Sequence, residues 1–201
     1  MVWSHLDLEE NMAKSIDSQV LMTTVMGVVE QTLAKMSGIM PTEAPQTKEA
    51  DIIEFYGRMR VMNMNDFNAP VYVSVVNYYL TQEDMNKGKA KGVLVLYVDA
   101  ENASKLYKFL GFTVPDDEDD ESMLDGCGEL CNLIGGALKN ELANVGYVNL
   151  VMSAPEYYKN SVTDGVKFSL DQKKKYQFSF FYWKRKTLVL EVSMADIPLK
   201  K

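Results

Sequence analysis

The chain has 201 residues, 47% hydrophobic and 24% charged, the composition of an ordinary folded protein long enough to bury a sizeable core. Its net charge of −7 argues against a generic nucleic-acid or anionic-membrane surface. No apolar run reaches the length of a membrane span, because Thr23, Thr24 and Gly27 interrupt residues 20–29. The N-terminus lacks the basic start and apolar stretch of a signal peptide, so a cytoplasmic location is expected, with no nucleic acid and no membrane as partner.

Residues 1–15 read as a polar N-terminal extension. From 16 to 36 the pattern is helical, with Met22, Val25, Met26, Val29, Leu33 and Met36 tracing a stripe that Gly38 and Pro41 end. Two prolines make 41–50 a loop. Residues 51–62 and 71–80 are rich in β-branched and aromatic side chains and read as strands. The charged segment 81–91, with Gly88, is most simply a hairpin loop. Residues 92–98 are almost continuously apolar, as expected of a central strand buried on both faces. Asp99 is then a good N-cap for a short helix carrying Ala103, Leu106, Tyr107 and Leu110 and closed by Gly111.

The acidic run 116–121 lacks the ligand spacing and glycine of an EF-hand, and reads as a solvated loop favouring the start of the next helix. In that helix Leu124, Cys127, Cys131, Ile134, Leu138, Leu142 and Val145 recur at three- and four-residue steps. Residues 147–153 and 162–170 follow as strands, with Pro155 at a strand end. Residues 176–183 and 187–194 form a hairpin across Lys184, Arg185 and Lys186. Each half is a long helix followed by three or four strands. The predicted fold is therefore α/β of the α+β type, with two long helices on a mostly antiparallel sheet and pseudo-two-fold αβββ repeats. A single domain over 16–197 holds both halves, about 16–111 and 122–197.

Most catalytic constellations are missing. There is no glycine-rich phosphate loop. With His5 as the single histidine, neither a Ser-His-Asp triad nor a zinc site is expected. Cys127 and Cys131 lie on the apolar stripe of one helix and read as small core residues. The polar side of that helix remains. At roughly 100° per residue, Asp125, Glu129, Asn132 and Gly136 fall together opposite the core stripe.

Asp125, three residues, Glu129, two residues, Asn132, then twenty-two residues and Pro155 is similar to the Asp/Ser-x3-Glu-x2-Asn-x22-Pro signature of the CheC, CheX and FliY phosphatases. The resemblance covers about 16–197. CheC-like members carry the Glu-x2-Asn element on both long helices. Here Glu30 is followed by Gln31, Thr32 and Leu33, so one intact element remains and the chain resembles the CheX type. The N-terminal extension and the long 81–91 segment depart from compact members.

That resemblance implies a phosphatase acting on the aspartyl-phosphate of a CheY-like response regulator in chemotaxis. Asn132, a neutral amide with donor and acceptor, would orient the attacking water. Glu129 would pair with the receiver's lysine. Asp125, Gly136 and Pro155 would support the contact as helix-start charge, open approach and strand packing. No intrinsic cofactor is implied, since Mg²⁺ belongs to the receiver domain. A homodimer joined by sheet edges is expected. The competing expectation is a non-catalytic module that docks a receiver domain or a flagellar switch component.

Overall fold

The computed structural model describes residues 16–62, 64–67, 70–114 and 119–196. The N-terminal extension with His5, and residues 116–118 of the acidic run, lie outside them. Helix α1, Ser18–Ser37, starts where the Asp17 carboxylate accepts from the amides of Gln19 (2.8 Å) and Val20 (3.2 Å), and ends at Gly38 in the left-handed region. Its buried residues are Leu21, Val25, Val28, Val29 and Leu33. The expected stripe is thus rotated by part of a turn, which leaves Met22 and Met26 half-buried and Met36 exposed.

Strand β1, Gln46–Asp51, runs through the segment read as a loop. Its composition, Gln-Thr-Lys-Glu-Ala-Asp, has no apolar alternation because the strand lies at a sheet edge, paired along one side only. Backbone pairing and Lys174, which reaches Glu49 (3.1 Å) and Asp51 (3.0 Å), hold it in place. The predicted strand 51–62 is instead a miniature hairpin of β2, Glu54–Phe55, and β3, Arg58–Met59. Tyr56 and Gly57 turn it with positive φ, and the Glu54 carboxylate caps the Gly57 amide at 2.7 Å.

Strands β4, Val71–Tyr79, and β5, Gly92–Asp99, are buried along their whole length, as their continuous apolar runs demand. They are antiparallel neighbours joined by a hairpin connection, within which Thr81 caps a short helix α2, Gln82–Asn86. Helix α3, Ala100–Leu110, carries the expected Asp99 cap and Gly111 stop. Helix α4, Asp120–Asn144, begins four residues before its apolar stripe, where the Asp119 carboxylate accepts from the Ser122 amide at 2.7 Å.

After α4 the predicted strand 147–153 shrinks to β6, Val151–Met152, and β7, Glu156–Lys159, follows Pro155. The expected strand 162–170 does not form. Val162, Val166 and Phe168 are buried all the same, because this segment folds over the sheet face away from the helices and packs with Met59, Met62 and Phe67. Burying apolar side chains does not require a ladder, and one antiparallel bridge, Met59 to Val166, is the pairing made there. Strands β8, Lys174–Tyr182, and β9, Arg185–Met194, form the last hairpin. Its two-residue turn is Trp183-Lys184, both at positive φ, rather than the basic triplet. Trp183 is held in this costly conformation by Phe109 and Tyr182 and by Lys105 over its ring at 4.0 Å.

Among the described residues, seven strands form one antiparallel sheet in the order β1-β8-β9-β5-β4-β6, with β7 also on β4. The pseudo-two-fold is explicit in this order. The central pair β5–β9 takes one strand from each half, and each half lends edge strands to the other: β1 pairs β8, and β6 and β7 pair β4. Helices α1, α3 and α4 cover one face. On the opposite face a buried carboxylate sits in mid-sheet. Glu191 of β9 accepts from the Tyr97 hydroxyl (2.6 Å) and the Met62 amide (3.1 Å) and pairs with Lys175 (2.6 Å), which donates to the Arg60 carbonyl at 3.0 Å.

Candidate functional site

Helix α4 lies over β4 near the β7 edge, with Met123, Cys127, Leu130, Cys131, Ile134, Leu138 and Leu142 buried. Asp125, Glu129 and Asn132 are exposed, and Gly136 is half-buried. The helical spacing puts these four in one outward strip. A methyl group at Gly136 would meet nothing within 4 Å, so that part of the strip is open to an approaching surface. Its neighbour Gly135 has the opposite role: a Cβ there would lie 3.0 Å from both Val76 and Met152, and its carbonyl accepts from the Tyr78 hydroxyl at 3.0 Å. The glycine pair thus lets the helix seat closely on the sheet through one member while the other faces outward.

The distant proline falls beside this helix. A Cβ on Gly128 would lie 4.0 Å from that of Pro155 and 3.1 Å from the Tyr157 ring. Pro155 therefore delivers β7 against the flank of α4, which ties the twenty-two-residue spacing to a physical contact. Tyr157 was not singled out from the sequence, because a lone tyrosine in a four-residue strand carries no periodic signal. Its ring is 48% exposed beside the strip. The Asp125 carboxylate, through its charge and as hydrogen-bond acceptor, raises the Tyr157 hydroxyl above its ordinary range.

The start of α4 is fixed by a further group. Asp120 pairs with Lys159 of β7 and accepts from the Tyr72 hydroxyl at 2.9 Å. Those two hydrogen bonds, Lys159 first, hold the Asp120 carboxyl below its usual range. Burial and then the Asp120 hydrogen bond push Tyr72 up to about 12. With Asp120 occupied in this way, Asp125, Glu129 and Asn132 are the exposed polar groups the strip offers.

Cys127 and Cys131 are fully buried behind the strip. Burial raises both thiols, Cys131 to about 12, so at neutral pH they are protonated and poor nucleophiles. A thiol reagent at pH 8 is expected to leave the native chain unlabelled over hours and to modify both cysteines in urea; rapid native labelling at either would contradict this packing. No group of His, Cys, Asp and Glu among the described residues could hold a metal ion. Nor is any helix among the described residues long and apolar enough to cross a membrane.

What the geometry defines is an α+β domain that presents a carboxylate and a carboxamide, one turn apart, on the outer face of a helix braced against its sheet. Residues 85–180, just under half of the chain, match the family model described as chemotaxis phosphatase CheX. No curated protein sequence matches. Among solved structures, a putative chemotaxis protein from Desulfovibrio vulgaris Hildenborough is similar, at 17% identity and a TM-score of 0.56 over 89% of this chain and 99% of that one. The chemotaxis protein CheX of Vibrio vulnificus aligns at 16% identity and a TM-score of 0.55, over 86% of this chain and 97% of that one. So does a chain of the CheX-CheY-BeF3-Mg²⁺ complex from Borrelia burgdorferi, at 15% identity and a TM-score of 0.53, over 90% and 100%. These likenesses show a fold shared with CheX- and CheC-like structures. The matched segment includes α4 and Pro155, so the strip falls within it.

Proposed function

We propose that this chain is a phosphatase that hydrolyses the aspartyl-phosphate of a CheY-like response regulator. The observation that carries the reading is the exposed Glu129/Asn132 pair on a rigid helix, with Pro155 packed beside it at the spacing of the CheX pattern. In a receiver domain, the Mg²⁺ ion and a lysine already neutralise the phosphoryl charge. What a helper adds is a positioned water. Asn132 donates to and accepts from that water and aligns its oxygen with phosphorus opposite the receiver carboxylate. The new P–O bond forms to water and the bond to the aspartate breaks, its electron pair returning to the carboxylate. Both protons of the water leave with inorganic phosphate. Glu129 pairs with the receiver's lysine and sets the register of the two proteins.

Gly136 leaves room for the receiver's loops, and Asp125 contributes at the rim. No cofactor of this chain takes part, because the metal is the substrate's own. Sheet-edge pairing of two copies would give the homodimer, and the contact with the receiver would be small and transient. The test is acyl-phosphate loss from a phosphorylated CheY-type receiver, with and without the chain. Acceleration that saturates with receiver concentration is expected. Tight binding with unchanged decay would instead make the chain a non-catalytic docking module.

A further inference from the structure

The strip on α4 is bordered on both sides by apolar surface. Going round the helix, Gly128 lies on the β7 side of the strip and Leu133 on the other. Leu133 is 37% exposed. On the β7 side the absence of a side chain at Gly128 leaves a seat, and the Tyr157 ring occupies it, 3.1 Å from where a Cβ would stand. Tyr157 pairs with Ser74 in the sheet, so its side chain points to the helix face, as does that of Lys159 two residues on. Lys159 is taken by Asp120. Tyr157 is therefore the residue of β7 that faces the strip and still offers surface.

A tyrosine with a purely structural role in this seam would look like Tyr78, which is fully buried with its hydroxyl on the Gly135 carbonyl. Tyr157 instead keeps about half its surface in solvent. A ring with two torsions, backed by helix and strand, loses little freedom when a partner covers it.

We propose that Tyr157 is a docking and specificity-determining residue of the Glu129–Asn132 site, its exposed ring forming the β7-side wall against which a phosphorylated receiver domain packs. The inference rests on the receiver-phosphatase reading and deepens it. The receiver is the occupant because the ring is continuous with the strip: any domain that brings an aspartyl-phosphate to Asn132 must lie against Tyr157 or against Leu133, and only Tyr157 is anchored on a second element.

The experiment uses the full chain with a CheY-type receiver and reads two quantities: KM and kcat for acyl-phosphate loss, and Kd for the receiver loaded with beryllofluoride, an unreactive phosphoryl mimic. Tyr157→Ala is expected to raise KM and Kd about tenfold while kcat stays within about twofold. Tyr157→Phe should recover most of the binding loss. Tyr157→Leu serves as a second truncation should alanine loosen β7. Unchanged KM and Kd in the truncated variants, or a loss confined to kcat, would overturn the proposal. If the wild-type chain binds the loaded receiver without speeding phosphate loss, the phosphatase reading fails and the Kd shift alone decides the role of Tyr157. A wild-type chain that binds no loaded receiver overturns both.

Discussion

Replacing Asn132 by alanine is expected to cut the acceleration of acyl-phosphate loss by about 10²- to 10³-fold, the usual cost of removing one positioned polar group from a reaction centre. The fold should barely notice. Asn132 is exposed on the outer side of α4, and exposed substitutions typically change stability by no more than about 0.5 kcal/mol. Asn132→Asp makes the test sharper. It preserves shape, yet it replaces a neutral amide that donates with a carboxylate that does not and that repels the phosphoryl oxygens. Single-turnover decay of a phosphorylated receiver, with urea unfolding of the same variants, separates the two effects. Both variants should unfold like wild type and both should be nearly inactive. An Asn132→Ala chain that remains fully active would remove Asn132 from the mechanism.

The largest stability effect is expected at the other face of the sheet. Glu191→Ala should cost about 3–5 kcal/mol, because it breaks a buried ion pair by removing one member. The Lys175 ammonium is 13% exposed and would lose its carboxylate. Tyr97 would lose its acceptor, and the Met62 amide would lose one of its two side-chain partners, keeping the Tyr97 hydroxyl. In the native chain burial, then the Glu191 charge, keeps the Tyr97 hydroxyl well above its ordinary range. Single domains are stable by roughly 5–15 kcal/mol in total, which brings this variant close to unfolding. Replacing both partners, as Glu191→Leu with Lys175→Met, should recover a large part of the loss, since an apolar pair pays no desolvation penalty. Urea midpoints measure both. A single variant as stable as wild type would mean that the network contributes nothing net.

Much of the frame was legible because its elements are long and their burial is one-sided or complete. The stripe on α4, the continuous runs of β4 and β5, and the Asp99 and Gly111 signals around α3 each reflect a local rule that the tertiary structure obeys. The segments that misled are those where burial and backbone pairing part company. Residues 162–170 are apolar because they roof the far face, yet they make a single bridge. Residues 46–51 are polar because they line an edge, yet they pair along their whole length with β8. For the candidate site, periodicity places Asp125, Glu129, Asn132 and Gly136 on one face, and the structure keeps them there. Pro155 could be found only through the family pattern, since its contact with α4 spans β6 and the chain reversal before it. Tyr157 had no signal of either kind.

The exchange of strands between the halves also sets what each edge of the sheet would offer to a second copy. The strip and Tyr157 lie at the β7 edge of the sheet, whereas β1 closes the opposite edge beside α1, the helix without an acid–amide pair. A second copy that extended the sheet through β7 would cover Tyr157 and crowd the strip. One that joined through β1 would leave two strips facing outward at the far ends of a doubled sheet. An edge-joined pair that left both strips open would therefore meet through β1.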